Sequence, residues 1–178
     1  MKIFVIGDTH FGHSMLSQSG SRPDGFEDII IKNWNQVVKP EDMVIHLGDF
    51  SLGKYQDYSI NKSIQQWRNL LVGRIILVRG NHDNNNCAWY MDNGFDFCAD
   101  RFEMEYKGKD LTFTHIPIDV YGENSYNIHG HIHSSLRAEE LKESLSTYDP
   151  YRNLNVAADL IELKPMLLDT VFKTYLND

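Results

Sequence analysis

The sequence predicts an α/β fold: two mixed sheets packed together with helices outside, an α-β-β-α sandwich of four layers. Three observations point to it. Short, β-rich apolar runs stop repeatedly at glycine, the mark of a buried strand entering a tight turn. Helical stripes separate the first three of these runs, the order of parallel βαβ units, whose crossovers are right-handed. Beyond Asn84 the rhythm changes to closely spaced strands, which supply a second sheet to cover the first.

The elements run in order along the chain. Lys2-Ile3-Phe4-Val5-Ile6 is the first strand, closed by Gly7. The stretch from Phe11 to Gly25 is rich in Ser, Gly and Pro and reads as a long loop. Phe26, Ile29, Ile30, Trp34, Val37 and Val38 recur at helical spacing, and Lys39-Pro40-Glu41-Asp42 turns the chain into a strand from Met43 to Leu47. Ile60, Ile64, Trp67, Leu70 and Leu71 make the next helical stripe, ended by Gly73 before a strand from Ile75 to Arg79. Asn84-Asn85-Asn86 is turn-like and Ala88 to Met91 a short helix. Phe102 to Tyr106 and Leu111 to His115 are expected as antiparallel strands about Lys107-Gly108-Lys109. A strand from Tyr126 to Gly130, a short charged helix or exposed excursion from Leu136 to Leu145, a strand from Leu154 to Ala157 and a helix from Leu167 to Leu176 complete the chain.

At 178 residues the chain is expected to form one domain over residues 1–178, with a core that needs no disulfide or structural-metal staples. A composition of 42% hydrophobic and 24% charged residues suits a globular protein. The net charge of −8 argues against a nucleic-acid-coating role, yet allows a phosphate substrate where bound metals reverse the local sign. Asp8 interrupts the first apolar run before a secretory segment could form, and no run reaches membrane-spanning length, so the cytoplasm is the expected location. Cys87 and Cys98 read as ordinary thiols.

The residues just past each glycine carry the chemistry. The first strand runs into Gly7-Asp8-Thr9-His10, the second into Gly48-Asp49, the third into Gly80-Asn81-His82-Asp83. If these strands are parallel, Asp8, His10, Asp49, Asn81 and His82 meet at one sheet edge. His115 and the cluster Gly130-His131-Ile132-His133 come later. A single Asp after a strand is usually a turn or a cap; five segments with Asp, Asn and His at the stops are hard to explain so.

Taken in order, Asp-x-His, Gly-Asp, Gly-Asn-His-Asp, His and Gly-His-x-His resemble the motifs of the calcineurin-like metallophosphoesterases, from Asp8 to His133. Phe11-Gly12-His13, Arg22-Pro23 and Leu47-Gly48-Asp49-Phe50 look like a compact bacterial and phage branch of that family, with no inserted cap domain. One departure is that Thr114, where the family often has glycine, precedes His115. The resemblance implies two divalent transition-metal ions. Asp8, His10, Asp49 and His133 would hold one; Asp49, Asn81, His115 and His131 would hold the other, with Asp49 bridging.

The residue types suit that chemistry in their own right. A carboxylate has two oxygens with which to span two ions, and a mixed imidazole and carboxylate set suits manganese, iron, zinc or nickel better than calcium. Manganese is the expected ion, with iron, nickel or zinc as alternatives. Two carboxylates against two divalent ions leave about +2, enough to hold a phosphate on an acidic protein. The implied reaction is in-line attack of a metal-bound hydroxide on the phosphorus of a small phosphomonoester or phosphodiester. His82 is the expected proton donor to the leaving group, with Asp83 orienting its ring. His13 and Arg22 are candidate substrate contacts. His46 reads as a core or supporting histidine, His129 as a supporting one at best, and Arg79 as an ion-pair partner beneath a strand end. Glu139, Glu140, Lys142 and Glu143 read as a solvated helix face.

Two alternatives stand beside the small-molecule phosphoesterase. One is a nuclease, for which the chain shows no basic stripe. The other is a non-catalytic scaffold on the same fold, like the retromer subunit of this family, which the retained ligands and His82 disfavour.

Overall fold

The computed structural model describes residues 1–52, 63–133, 149 and 151–176. The glycine-stopped runs become β1 (Ile3–Ile6), β2 (Met43–His46) and β3 (Arg74–Val78), paired in parallel in the order β3-β2-β1. Between β1 and β2 lie a four-residue helix, α1 (Met15–Gln18), and α2 (Phe26–Val37). The expected long loop thus holds one helical turn. α2 buries Phe26, Ile30 and Trp34, the i, i+4, i+8 stripe read from the sequence. The Trp34 indole N–H also donates to Val72 O at 2.8 Å, tying this helix to the chain that enters β3.

α3 (Ile64–Asn69) starts later than its apolar stripe suggests. Ser63 Oγ accepts from the Gln66 N–H while Gln66 Oε1 accepts from the Ser63 N–H, a reciprocal cap that sets the first turn. Ile60 lies outside the described residues, as do the segment Leu136 to Leu145 and its charged face. α4 (Cys87–Asp92) is capped by Asn86, and it leads into β4 (Phe97–Ala99), a parallel edge strand on β3.

β5 (Phe102–Tyr106) and β6 (Lys109–Phe113) form the expected hairpin, with Lys107 and Gly108 both at positive φ, as a two-residue turn of matching twist requires. β7 (Ser125–His129) and β8 (Asn153–Asn155) add in parallel to give a second sheet ordered β5-β6-β7-β8. A 3₁₀ turn (Ala158–Leu160) then returns the chain to the first sheet, where β9 (Met166–Leu167) pairs antiparallel with β1. The first sheet therefore reads β4-β3-β2-β1-β9. α5 (Leu168–Leu176) buries Val171 and Phe172, and the Phe172 ring packs with Tyr106 and Tyr126 of the second sheet. Both sheets are mixed and flanked by helices, as the sequence predicts.

The two sheets meet at the ends of β1 and β8. Gly7 N–H donates to Val156 O and the Ala158 N–H to Gly7 O, so backbone bonds cross from one sheet to the other beside the first ligand loop. The approach is close enough that a Cβ on Gly130 would lie 2.3 Å from Asp8 Oδ2. Glycine is required there for contact.

Candidate metal centre

The loops after β1 and β2 continue the ladder past the strands. Asp8 N–H donates to Gly48 O, His10 N–H to Asp49 O and Phe11 N–H to Phe50 O, each at 2.9 Å. Asp8, His10, Asp49 and His131 all take positive φ, between 50° and 66°. Side chains rarely sit there, and the ladder holds them in place against the strain. The backbone thus turns Asp8, His10, Asp49 and His131 into the space between the sheet ends.

Two clusters result. In the first, His10 Nε2 is 3.9 Å from Asp8 Oδ1 and 3.7 Å from Asp49 Oδ2, and His133 Nε2 is 3.5 Å from Asp8 Oδ1. In the second, His115 Nε2 lies 2.9 Å from Asn81 Oδ1, 3.1 Å from His131 Nδ1 and 3.4 Å from Asp49 Oδ2. His115 Nδ1 is 2.8 Å from Leu47 O, which only accepts, so Nδ1 carries a proton and Nε2 is the nitrogen offered to the cluster. Asp8, His10 and His133, and likewise Asp8, Asp49 and His115, each bring one ligand atom within 4.8 Å of the others. Those groupings share Asp8, but Asp49 Oδ2 is the atom that faces imidazoles of both clusters. Asp8 has both oxygens within reach of the His131 N–H, at 2.9 and 3.2 Å, whereas Asp49 gives only Oδ1 to the His82 N–H.

The electrostatics call for cations. Burial pushes Asp8 up to about 6, against the charges of His115 and His133. Burial also works against ionised Asp49, yet the hydrogen bond and charge of His115, with His10, hold it well below the usual carboxylate range. Burial disfavours a charged His115, but Asp49 and Asp8 outweigh it and hold its pKa at about 9. A proton on His115 is one answer to these converging acceptors; a divalent ion with four ligands is a fuller one. Burial keeps His10 and His131 neutral, the form in which an imidazole ligates. The donor set therefore fits divalent metal.

His82 sits at the open side, its side chain 42% exposed and its Nε2 3.9 Å from Asp49 Oδ2. His13 is half-buried, its ring edge-on to His10 with centroids 5.5 Å apart. Two expectations need correction. Asp83 does not orient the His82 ring: its carboxylate accepts the N–H groups of Asp49, Gly80 and Phe50 at 2.8, 2.8 and 3.2 Å. Three backbone donors hold it beneath the second and third ligand loops. Arg22 is no open substrate contact either. It is buried and donates to Thr9 O, Asp8 O and Asp159, because two carbonyls of the strained first loop need donors.

His46 is buried with Nε2 3.0 Å from Thr9 Oγ1, and His129 is buried with Nδ1 beside Gly130 O, so neither joins the clusters. Arg79 pairs with Asp100. The residue that sequence reasoning missed is Asp159, whose Oδ1 is 2.9 Å from His133 Nδ1. Its signal was present: Val156-Ala157-Ala158 is an apolar run that stops at an acid, but without the glycine that marked the others.

Fold and clusters together define a metallophosphoesterase. A family model for the calcineurin-like phosphoesterases matches residues 1–171, and the chain belongs to that family. It is 32% identical over 179 residues to the uncharacterized protein MJ1445 of Methanocaldococcus jannaschii, covering 97% of this chain and 90% of that one. Among solved structures it is similar to the protein of unknown function AQ665 from Aquifex aeolicus, with a TM-score of 0.73 at 27% identity, over 97% of this chain and 98% of the other. That near-complete mutual coverage fits a compact member without a cap. Among the described residues no helix is long and apolar enough to cross a membrane.

Proposed function

We propose that this metal-dependent phosphoesterase hydrolyses P–O bonds of a small phosphomonoester or phosphodiester at a pair of divalent transition-metal ions, manganese first among the candidates. The observation that supports this most is the position of Asp49 Oδ2, 3.4 Å from His115 Nε2 on one side and 3.7 Å from His10 Nε2 on the other. In this reading Asp8, His10, Asp49 and His133 hold one ion, Asp49, Asn81, His115 and His131 the other, and Asp49 is shared. When bound, such a pair polarises the phosphoryl group and lowers the pKa of water.

The chain's own groups complete the reaction. His82 stands at the exposed side of the centre, within reach of a leaving-group oxygen, and gives that oxygen a proton as the ester bond breaks. His13 flanks the same opening and contacts the phosphate. Asp83 serves by fixing the backbone of Asp49, and so the place of the shared carboxylate. The test is protein stripped of metal, reloaded with Mn, Ni, Zn or Fe, and assayed on a panel of small phosphate mono- and diesters with oligonucleotides included. Metal-restored hydrolysis of the small esters is expected. Turnover of oligonucleotides alone would favour the nuclease, and no metal-dependent turnover at all would defeat the proposal.

A further inference from the structure

A histidine ligand binds metal through one nitrogen, and what its other nitrogen touches decides which tautomer is presented and how firmly the ring is aimed. For His115 that partner is the Leu47 carbonyl. For His133 it is a carboxylate 26 residues away, on the 3₁₀ turn after β8. We propose that Asp159 is a positioning residue for the metal centre: it holds the proton of His133 on Nδ1, aims Nε2 at Asp8, and is itself set in place by Arg22. The inference rests on the metal-centre reading proposed for this site.

The geometry carries it in three steps. Asp159 Oδ1 lies 2.9 Å from His133 Nδ1, and an ionised carboxylate only accepts, so Nδ1 is the donor and, in the neutral ring that ligates a metal, Nε2 carries the lone pair. That Nε2 is 3.5 Å from Asp8 Oδ1, with the His10 ring beside it at 5.3 Å between centroids. A lone pair facing a carboxylate oxygen is the arrangement a shared cation satisfies. The same Oδ1 receives Arg22 Nη2 at 3.2 Å. Arg22 also donates to the main-chain oxygens of Thr9 and Asp8 at 2.9 and 2.5 Å. One guanidinium thus ties the first ligand loop to the carboxylate that aims the last ligand. Asp159 is largely buried, its side chain 11% exposed, so water competes little for these bonds.

Because one oxygen accepts both bonds, Asp159→Asn can supply them from its single carbonyl oxygen, whereas Asp159→Ala supplies neither. The two variants therefore separate the hydrogen bond from the bulk of the side chain. The experiment measures manganese stoichiometry and affinity by titration calorimetry, and the His133 tautomer by imidazole nitrogen NMR of the metal-free protein at a pH alkaline enough for the ring to be neutral. Arg22→Lys serves as a control for the loop tie. In Asp159→Ala one of two sites should weaken about 10–100-fold while the other holds. His133 should lose its Nδ1–H preference there, Asp159→Asn should restore it, and Arg22→Lys should keep it. An unchanged tautomer in Asp159→Ala, or equal weakening of both sites in Asp159→Ala and Arg22→Lys, would overturn the inference. Should Asp159→Ala not fold, Asp159→Asn set against Asp159→Leu makes the same comparison. If the wild-type protein binds no metal, the metal-centre reading fails and the inference with it; if wild type binds two ions and Asp159→Ala binds both as tightly, only the inference fails.

Discussion

His46 offers a test of the core beneath the metal centre that needs no metal. It is fully buried in β2, between the rings of Trp34 and Phe50, with Nε2 on Thr9 Oγ1. The Thr9 hydroxyl proton goes to Phe50 O, so Nε2 of His46 is the donor to Thr9 Oγ1. Burial drives its pKa down to about 3 from 6.5, with the Asp49 charge opposing only in part. The sign is then fixed. The folded pKa lies below the unfolded one, so stability from this group is whole above about pH 6.5 and falls as the unfolded chain takes up a proton the fold refuses. At about 1.4 kcal/mol per pH unit, the loss reaches about 2 kcal/mol at pH 5.

His46→Phe keeps the aromatic contacts and cannot titrate. Its cost at pH 7 is the Thr9 hydrogen bond, about 1 kcal/mol. Urea unfolding of both proteins at pH 7, 6 and 5, with chelator present, should show the difference between them shifting by about 2 kcal/mol in favour of the variant as the pH falls. Other buried histidines, His10 and His129 among them, titrate in both proteins and cancel. Parallel pH curves would refute the reasoning, since they would mean that His46 is protonated in the fold or never shielded from water.

Three further outcomes are expected. Asp49→Ala should lower occupancy at both metal positions and His115→Ala mainly at one, by elemental analysis; full occupancy in Asp49→Ala would remove it as the bridge. His82→Ala should keep its metal while losing about 10²–10⁴-fold in rate on an alkyl ester and far less on a nitrophenyl ester, whose leaving group needs no proton. Equal slowing of both would make His82 a binding group instead. Gly48→Ala puts a Cβ 2.4 Å from Gly80 N at a φ of +83°, so urea unfolding should show a loss of about 3 kcal/mol or more from strain plus collision. A loss below about 1 kcal/mol would show that the two loops do not approach so closely.

What was legible in the sequence was local. β1, β2 and β3 announce themselves because a buried strand is a continuous apolar run and its exit here needs glycine, as at Gly48 against Gly80. The ligand candidates other than His115 were legible because each lies within three residues of a glycine stop; His115 follows Thr114 instead. β4 and β9 were not, being only three and two residues long and too short to show a period. The start of α3 was written in Ser63 and Gln66, a reciprocal cap that an apolar stripe alone does not reveal. The misassigned roles share one cause. Arg22 and Asp159 are 137 residues apart, and Asp83 spends its carboxylate on backbone N–H groups that no side-chain pattern reveals. A charge next to a motif reads as part of the chemistry until the backbone donors and acceptors around it are counted.

Counting them also explains how the centre keeps its shape. Asp8, His10, Asp49 and His131 each hold a left-handed backbone that costs a side-chain-bearing residue on the order of 1 kcal/mol or more. Left to themselves, such loops would relax and carry the ligands apart. The ladder bonds of Asp8, His10 and Phe11 to the second loop prevent it on one side. Asp83 pins the backbone of the second loop to the third, and Arg22 closes the carbonyls of the first. Across the sheets the His131 N–H lies on the Asp8 carboxylate itself. Each strained ligand residue is therefore fixed through its main chain or through a buried ion pair beside it. The positions of the donor atoms are set by the fold, and a cation that binds them need not organise the loops first. The contacts beneath the candidate ligands, Asp83 and Arg22 above all, therefore hold the frame that a metal would meet.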